Sequence, residues 1–298
     1  MTDVGFIGLG TMGGPMAMNV LKKGHRLTVF DISDKAIATL VAAGARAADS
    51  PKTVAAASDV VITMVPDAPD VERAALGPDG IIEGIRPGAV YIDMSTIDPQ
   101  TTQRVGAKIA AKGAHMIDSP VGKTAEHAVA GTLTLMVGGP TEIIAKVRPV
   151  LDCMGTDFFH CGALGMGEAM KLANNLLATT LCEATSEALV VGAKAGLTLD
   201  TMLSVMKTTM AWNNQLAIAM QARPLKGDFK PGFMLKLAHK DCRLALQMNR
   251  DLGLSATVGH ATLAALDHGL AKGAGDSDVG VLLKLREAEA GVEVRLQK

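Results

Sequence analysis

Short apolar runs recur through the first half of the chain. Val4–Gly8, Arg26–Phe30, Asp59–Val65 and Ala89–Met94 are rich in Val, Ile, Leu and Met, and helix-compatible sequence separates each from the next. Runs that do not alternate suit strands buried on both faces, and strand–helix–strand alternation implies right-handed crossovers and a mostly parallel sheet. His115–Ile117, Thr132–Val137 and Asp157–Cys161 are further strand candidates. The pattern changes after Gly162. Gly167–Ala195 contains no proline and one internal glycine, Gly192, which predicts a single helix about 43 Å long at 1.5 Å per residue. Helical patterns follow at Leu199–Thr208, Asn213–Ala222, Leu235–Leu252, Ser255–His268 and Asp278–Ala290. The expected architecture is α/β: a doubly wound, mostly parallel sheet domain over 1–162, and an all-α domain over 163–298 joined to it by the long helix.

Composition narrows the class. Of 298 residues 48% are hydrophobic and 20% charged, which excludes a disordered chain. Lys+Arg 29 against Asp+Glu 30 gives no global electrostatic reason to expect nucleic acid or an anionic membrane as partner. Aromatics reach only 3%, with Tyr91 and Trp212 the single residues of their kinds, so the core is aliphatic and base stacking is not the binding mode. Cys153, Cys161, Cys182 and Cys242 show neither a CxxC pair nor metal-ligand spacing, and read as reduced core residues with no metal site. The most apolar stretch, Leu172–Val191, carries Asn174, Asn175, Glu183 and Glu187, which are expensive in lipid. Met1 leads almost at once into a strand-like run rather than a secretory signal, so a cytoplasmic protein is expected.

Candidate chemistry begins at Gly8-x-Gly10-x-x-Gly13, directly after the first strand run and at a helix start. The first glycine allows the tight turn, the second a close approach of backbone to a pyrophosphate, and the third close helix–strand packing. Across Gly8, Gly10, Thr11, Met12 and Gly13 a diphosphate would meet free N–H groups and the positive end of the helix dipole. Asp31 closes the second run, placed to accept hydrogen bonds from ribose hydroxyls and to repel a 2′-phosphate, and Ile32-Ser33-Asp34 supply no arginine. The expected cofactor is NAD rather than NADP. The alternative for Asp31 is an ordinary cap of the following helix. Val65-Pro66 and Ser95-Thr96 follow the next two strands, at the edge where open α/β sheets bind ligands, with Val65 and Thr96 as cofactor candidates.

The sequence resembles the β-hydroxyacid dehydrogenase family, which includes 3-hydroxyisobutyrate dehydrogenases and tartronate semialdehyde reductases. Four separated blocks carry the resemblance: Phe6–Pro15 (FIGLGTMGGP), Asp118–Gly139 (DSPVGKTAEHAVAGTLTLMVGG), Gly165–Asn175 (GMGEAMKLANN) and His239–Leu246 (HKDCRLAL). The resemblance implies a Rossmann domain plus a helical domain, and hydride transfer at a small hydroxy acid or semialdehyde. It also implies a homodimer or homotetramer paired through the helical domains. Lys171, Asn174 and Asn175 lie at i, i+3 and i+4, on one face of the long helix. Carried over from the family, Lys171 is the catalytic group. An ammonium near the carbonyl oxygen stabilises the developing alkoxide and donates the proton, and the neutral amine reverses the step. Asn174 and Asn175 orient Lys171 and hold substrate oxygens. Without the family, Lys171 reads as a solvated helix lysine.

The second block departs from the common pattern. Most relatives carry Ser-Gly-Gly after the Asp-x-Pro-Val run, where this chain has Gly122-Lys123-Thr124. That loop resembles the sulfolactaldehyde reductase branch. A sulfonate has three oxygens and a permanent charge, matched to a cation, a hydroxyl and loop N–H groups. The leading expectation is NAD-dependent interconversion of 3-sulfolactaldehyde and 2,3-dihydroxypropane-1-sulfonate. The carboxylate alternatives are tartronate semialdehyde reductase and 3-hydroxyisobutyrate dehydrogenase, with Lys123 then a surface lysine. Gly122-Lys123-Thr124 is not a P-loop, because the glycine required five positions earlier is Ile117. Lys240 and Asp241 match positions near the nicotinamide in relatives: Lys240 as a cofactor contact, Asp241 in the same role or in a structural ion pair. Phe233 packs over the cofactor or fills core, Met210–Gln215 with Trp212 is a variable substrate loop of the family or a polar helix connection, and His127 reads as a loop or wall residue rather than a base and is left unassigned. A different class, a dinucleotide-binding scaffold without catalysis, is disfavoured by retention of Lys171 and both asparagines.

Overall fold

The computed structural model describes residues 1–296. The chain divides into two compact units, Met1–Lys171 and Leu172–Lys298. The first unit holds strands β1 (Asp3–Ile7), β2 (Arg26–Phe30), β3 (Arg46–Ala47), β4 (Val60–Thr63), β5 (Val90–Asp93), β6 (His115–Asp118), β7 (Val121–Gly122), β8 (Leu133–Gly138) and β9 (Gly155–Gly162). Helices α1 (Gly13–Lys22), α2 (Asp34–Ala42), α3 (Pro51–Ala56), α4 (Ala68–Leu76), α5 (Ile81–Gly84), α6 (Pro99–Ala110), α7 (Ala125–Ala130) and α8 (Thr141–Leu151) connect them.

The sheet order is β3-β2-β1-β4-β5-β6-β8-β7, with β9 beside β8. The pairs from β3 through to β6 are parallel, β8 runs antiparallel to β6 and β7, and β9 is parallel to β8. Every residue of β4 and β5 is buried, because helices cover both faces and build one aliphatic core on each. In-register pairing aligns Ile7 with Thr63, Thr63 with Asp93, and Asp93 with Asp118. Three polar residues therefore close three neighbouring strands at the carboxyl edge. Side-chain caps fix where the helices start: Ser33 on α2, Ser50 with Pro51 on α3, and Asp98 with Pro99 on α6.

The seven expected strand runs are all present. Arg46–Ala47 and Val121–Gly122 add two strands of two residues each, too short to leave a pattern.

Helix α9 (Met166–Lys194) runs 29 residues, as the proline-free stretch predicts. It is the one described helix long and apolar enough to cross a membrane by length and composition. It also carries Glu168, Lys171, Asn174, Asn175, Glu183 and Glu187, and its Cys182, Leu189 and Val190 pack into protein cores. The second unit adds α10 (Leu199–Met206), α11 (Leu235–Asp251), α12 (Thr257–Ala271) and α13 (Val281–Ala290). The segment expected as an α-helix at Asn213–Ala222 instead forms wide π-type turns over Gln215–Met220. Leu216 and Met220 are buried there, four residues apart, a spacing that α and π turns both satisfy. Trp212 lies half-buried beside this segment, with the Lys207 ammonium 5.5 Å from its ring centre. Phe233 packs against the core around Leu235, Cys242 and Leu266. All four cysteines are free thiols.

Candidate active site

The glycines of the first βα turn separate into two kinds. A Cβ at Gly8, where φ is +90°, would overlap the Met64 carbonyl, and a Cβ at Gly13 would overlap the Gly8 carbonyl. Packing alone demands those two. Gly10 is different: a Cβ there would meet no atom within 4 Å. The protein has no packing reason for glycine at this point, whereas an approaching diphosphate does. Thr11 is exposed, Met12 packs its side chain against the core, and no side chain caps the start of α1. The amides there suit an anion.

Asp31 holds this turn. Its carboxylate accepts from the Leu9 N–H at 2.5 Å and the Ser33 N–H at 2.8 Å. Ser33, not Asp31, caps α2, so the capping alternative falls away. At the ends of β4 and β5 the Val65 N–H donates to Ser95 Oγ at 3.0 Å, and the Ser95 N–H donates to Asp93 Oδ1 at 3.1 Å. The same Oδ1 accepts from Thr63 Oγ1 at 2.7 Å, and Tyr91 Oη lies 2.8 Å from that hydroxyl. Burial pushes the Tyr91 phenol well above its ordinary range. This buried network ties Val65 to the strand end that precedes half-buried Thr96. The residues present fit a dinucleotide.

The next strand ends in a second buried acid. Asp118 accepts from the Gly165 N–H at 2.7 Å and the Glu168 N–H at 2.8 Å. Burial raises its carboxyl to about 6 against the backbone hydrogen bonds that lower it. Lys171 is 9% exposed, and its ammonium donates to the Val121 carbonyl at 2.7 Å. Gly122 of β7 pairs with Thr134 of β8. Lys123 has a φ of +76°, in the left-handed region. Its ammonium donates to Asp157 Oδ2 at 2.6 Å and to the Thr132 carbonyl at 2.7 Å. The cation that the sequence assigns to a substrate tail is thus satisfied by protein groups. Thr124 Oγ1 lies 2.9 Å from His127 Nδ1.

In the second unit, buried Asn175 donates from Nδ2 to Asp241 Oδ2 at 2.6 Å and accepts from Asn174 Nδ2 at 3.1 Å. Lys240 Nζ lies 3.5 Å from the other Asp241 oxygen. Asp241 therefore fixes both the asparagine pair and the lysine. Sequence reasoning missed Asp93, Asp118 and Asp157. For the first two a signal existed: an acid closing a buried apolar run, Val90–Ile92 for Asp93 and Met116–Ile117 for Asp118. For Asp157 there was none.

A mostly parallel sheet in this order, with a glycine turn open at Gly10, an acid directly after β2 and a buried lysine one turn into a long helix, defines a Rossmann-type NAD(P)-dependent dehydrogenase. The particular family follows from comparison. Residues 3–163 match the family model described as the NAD binding domain of 6-phosphogluconate dehydrogenase. Residues 165–286 match the model described as NAD-binding of NADP-dependent 3-hydroxyisobutyrate dehydrogenase. The 3-hydroxyisobutyrate dehydrogenase of Pseudomonas aeruginosa is 41% identical over 265 residues, covering 87% of this chain and 89% of that protein. The 3-sulfolactaldehyde reductase of Escherichia coli is 36% identical over 297 residues, covering 100% of both. The structure of Mycobacterium tuberculosis 3-hydroxyisobutyrate dehydrogenase with L-serine superposes with a TM-score of 0.91 at 31% identity, covering 96% of this chain and 99% of that one. The chain belongs to the β-hydroxyacid dehydrogenase family, and it is an NAD-dependent oxidoreductase acting on CH–OH.

Proposed function

We propose that the chain interconverts a small semialdehyde bearing an anionic tail and the corresponding alcohol, with 3-sulfolactaldehyde and 2,3-dihydroxypropane-1-sulfonate as the leading pair. The observation that carries the chemistry is buried Lys171, its ammonium held by the Val121 carbonyl beside the substrate loop. Bound NAD supplies or accepts the hydride. Lys171 gives the carbonyl oxygen its proton during reduction and takes it back during oxidation. Asn174 and Asn175, anchored by Asp241, orient the lysine and hold substrate oxygens. Gly8, Gly10, Thr11, Met12 and Gly13 receive the diphosphate, Asp31 the ribose, and Val65, Thr96 and Lys240 complete the cofactor contacts. Asp31 and the absence of an arginine at 32–34 support NAD over NADP.

Full-length similarity to a 3-sulfolactaldehyde reductase and the Gly122-Lys123-Thr124 loop support the sulfonate. A carboxylate tail is the second reading, and the Lys123–Asp157 pair favours it, because a lysine already balanced by an acid adds little net charge to the loop. Steady-state kinetics with each sulfonate beside its carboxylate analogue separates the two. The sulfonate reading expects the higher kcat/KM for sulfolactaldehyde. It also expects Lys123→Ala to raise the substrate KM by roughly ten- to a hundredfold, the effect of about 1.5–3 kcal/mol from one charge-assisted bond. A preference for the carboxylate, or an unchanged KM in Lys123→Ala, establishes the carboxylate reading instead. On the same proposal the protein works in the cytoplasm as a homodimer or homotetramer paired through its helical domain. We place the domain boundary at 162/163, ahead of α9, supported by family models that end at 163 and begin at 165, whereas compactness divides the chain within α9, after Lys171.

A further inference from the structure

The four residues 118–121 and the four residues 168–171 are bonded to each other at both ends. At one end the Glu168 N–H donates to Asp118 Oδ2 at 2.8 Å; at the other the Lys171 ammonium donates to the Val121 carbonyl at 2.7 Å. The first segment leads from the end of β6 into the substrate loop, and the second lies in the first two turns of α9. Asp118 adds a second bond at the residue just ahead of the helix, accepting from the Gly165 N–H at 2.7 Å.

The fold makes room for this carboxylate. A Cβ at Gly138 would overlap Asp118 Oδ1, and a Cβ at Gly167 would stand 2.7 Å from Oδ2. Glycine at 138, on β8, admits the acid; at 167, in the first turn of α9, the Met136 carbonyl, 2.3 Å from such a Cβ, demands glycine as well. The amides that it binds belong to the helix start, where N–H groups have no intrahelical acceptor and the dipole favours an anion. The Glu168 side chain continues the anchorage: its Oε2 accepts from the Ile97 N–H at 3.2 Å, just beyond β5. Lys171 follows Glu168 by three residues, so it stands on the same face one turn along. Whatever fixes the rotation and height of this turn fixes the ammonium.

We infer that Asp118 is a positioning residue for Lys171, clamping the first turn of α9 to the substrate loop so that the ammonium meets the reacting oxygen. This rests on Lys171 being the proton donor. A helix cap with no further role would stabilise α9 and leave turnover alone, so the two accounts separate experimentally.

The full chain is assayed with NADH and its best aldehyde as Asp118→Asn, Asp118→Glu, Lys171→Ala and the Asp118→Asn/Lys171→Ala double variant. An amide offers one acceptor oxygen and turns an N–H against the remaining donor. In Asp118→Asn, kcat falls roughly 10- to 100-fold, the scale of an ångström-sized misplacement, while the KM for NADH stays unchanged. The alkaline limb of the kcat profile moves with it. Asp118→Glu, which keeps the acceptors on a longer side chain, recovers part of the loss and carries the test if the amide variant does not fold. The double variant is no slower than Lys171→Ala, because the effect of Asp118 passes through the lysine. A folded Asp118→Asn with wild-type kcat and pH profile overturns the inference. So does a double variant slower than Lys171→Ala by the full single-variant factor, or loss of fold in both Asp118 variants. Failure of the Lys171 reading shows separately, as near-normal turnover in Lys171→Ala.

Discussion

Two lysines meet opposite circumstances in this protein. Lys171 is almost wholly buried, and a buried ammonium is costly unless hydrogen-bonded, so the Val121 carbonyl at 2.7 Å is a condition of its presence. Lys123 keeps about a third of its side chain exposed and is balanced by Asp157, on a backbone twisted to a φ of +76°. For a residue with a Cβ that conformation costs roughly 1–2 kcal/mol, and the double anchorage of its ammonium holds it there. The two should answer truncation differently. Lys171→Ala is expected to lower turnover by roughly 10²–10⁴-fold, as for a lost general acid, with NADH binding followed by its fluorescence little changed. Near-normal turnover would remove Lys171 from the mechanism.

The first βα unit allows a sharper test, because its glycines serve different ends. Gly10→Ala meets no protein atom, so thermal stability should stay at the wild-type value while NADH affinity falls tenfold or more, about 1.4 kcal/mol. Gly13→Ala drives a methyl into the Gly8 carbonyl and should lower unfolding free energy by at least about 2 kcal/mol. Normal NADH affinity in Gly10→Ala would mean that no diphosphate crosses that residue. Elements such as β1 and β4 were legible in the sequence because strands buried on both faces leave unbroken apolar runs. Arg46–Ala47 left none, since neither residue is buried. The π turns at Gln215–Met220 share their apolar spacing with an α-helix, so periodicity could not tell them apart. The glycine turn, Asp31 and Lys171 were readable from local spacing. Pairings such as Lys123 with Asp157 and Asp118 with Glu168 were not, because sheet register and a helix start 34 and 50 residues away decide them.

For the molecule as a whole, Asp118 sets a pH dependence of unusual sign. Its carboxyl titrates at about 6 when folded, against 3.8 ordinarily, chiefly through burial. Between those values the folded protein holds the proton more tightly than the unfolded chain. This group therefore makes stability fall as pH rises through the window and leaves a constant penalty above it, about 3 kcal/mol in all. Exposed paired acids such as Asp3 and Glu83 are shifted the other way, each mainly by hydrogen bonding to its basic partner, and contribute little. Subtracting Asp118→Asn from wild type cancels them. In urea titrations from pH 4.5 to 7.5 the difference, wild type minus variant, should shrink as pH rises and level off above about 7. A difference that does not change with pH would mean that Asp118 stays ionised throughout.

The scarcity of aromatic residues has one more consequence. Tyr91, hydrogen-bonded inside the sheet, and Trp212, beside the π turns, are single copies and fall one in each compact unit. The indole absorbs to longer wavelength than the phenol, so light chosen there reads Trp212 alone, and the phenol's shorter-wavelength emission adds Tyr91. The unmodified protein thus carries its own two-colour label, able to show whether its two units melt together or in turn.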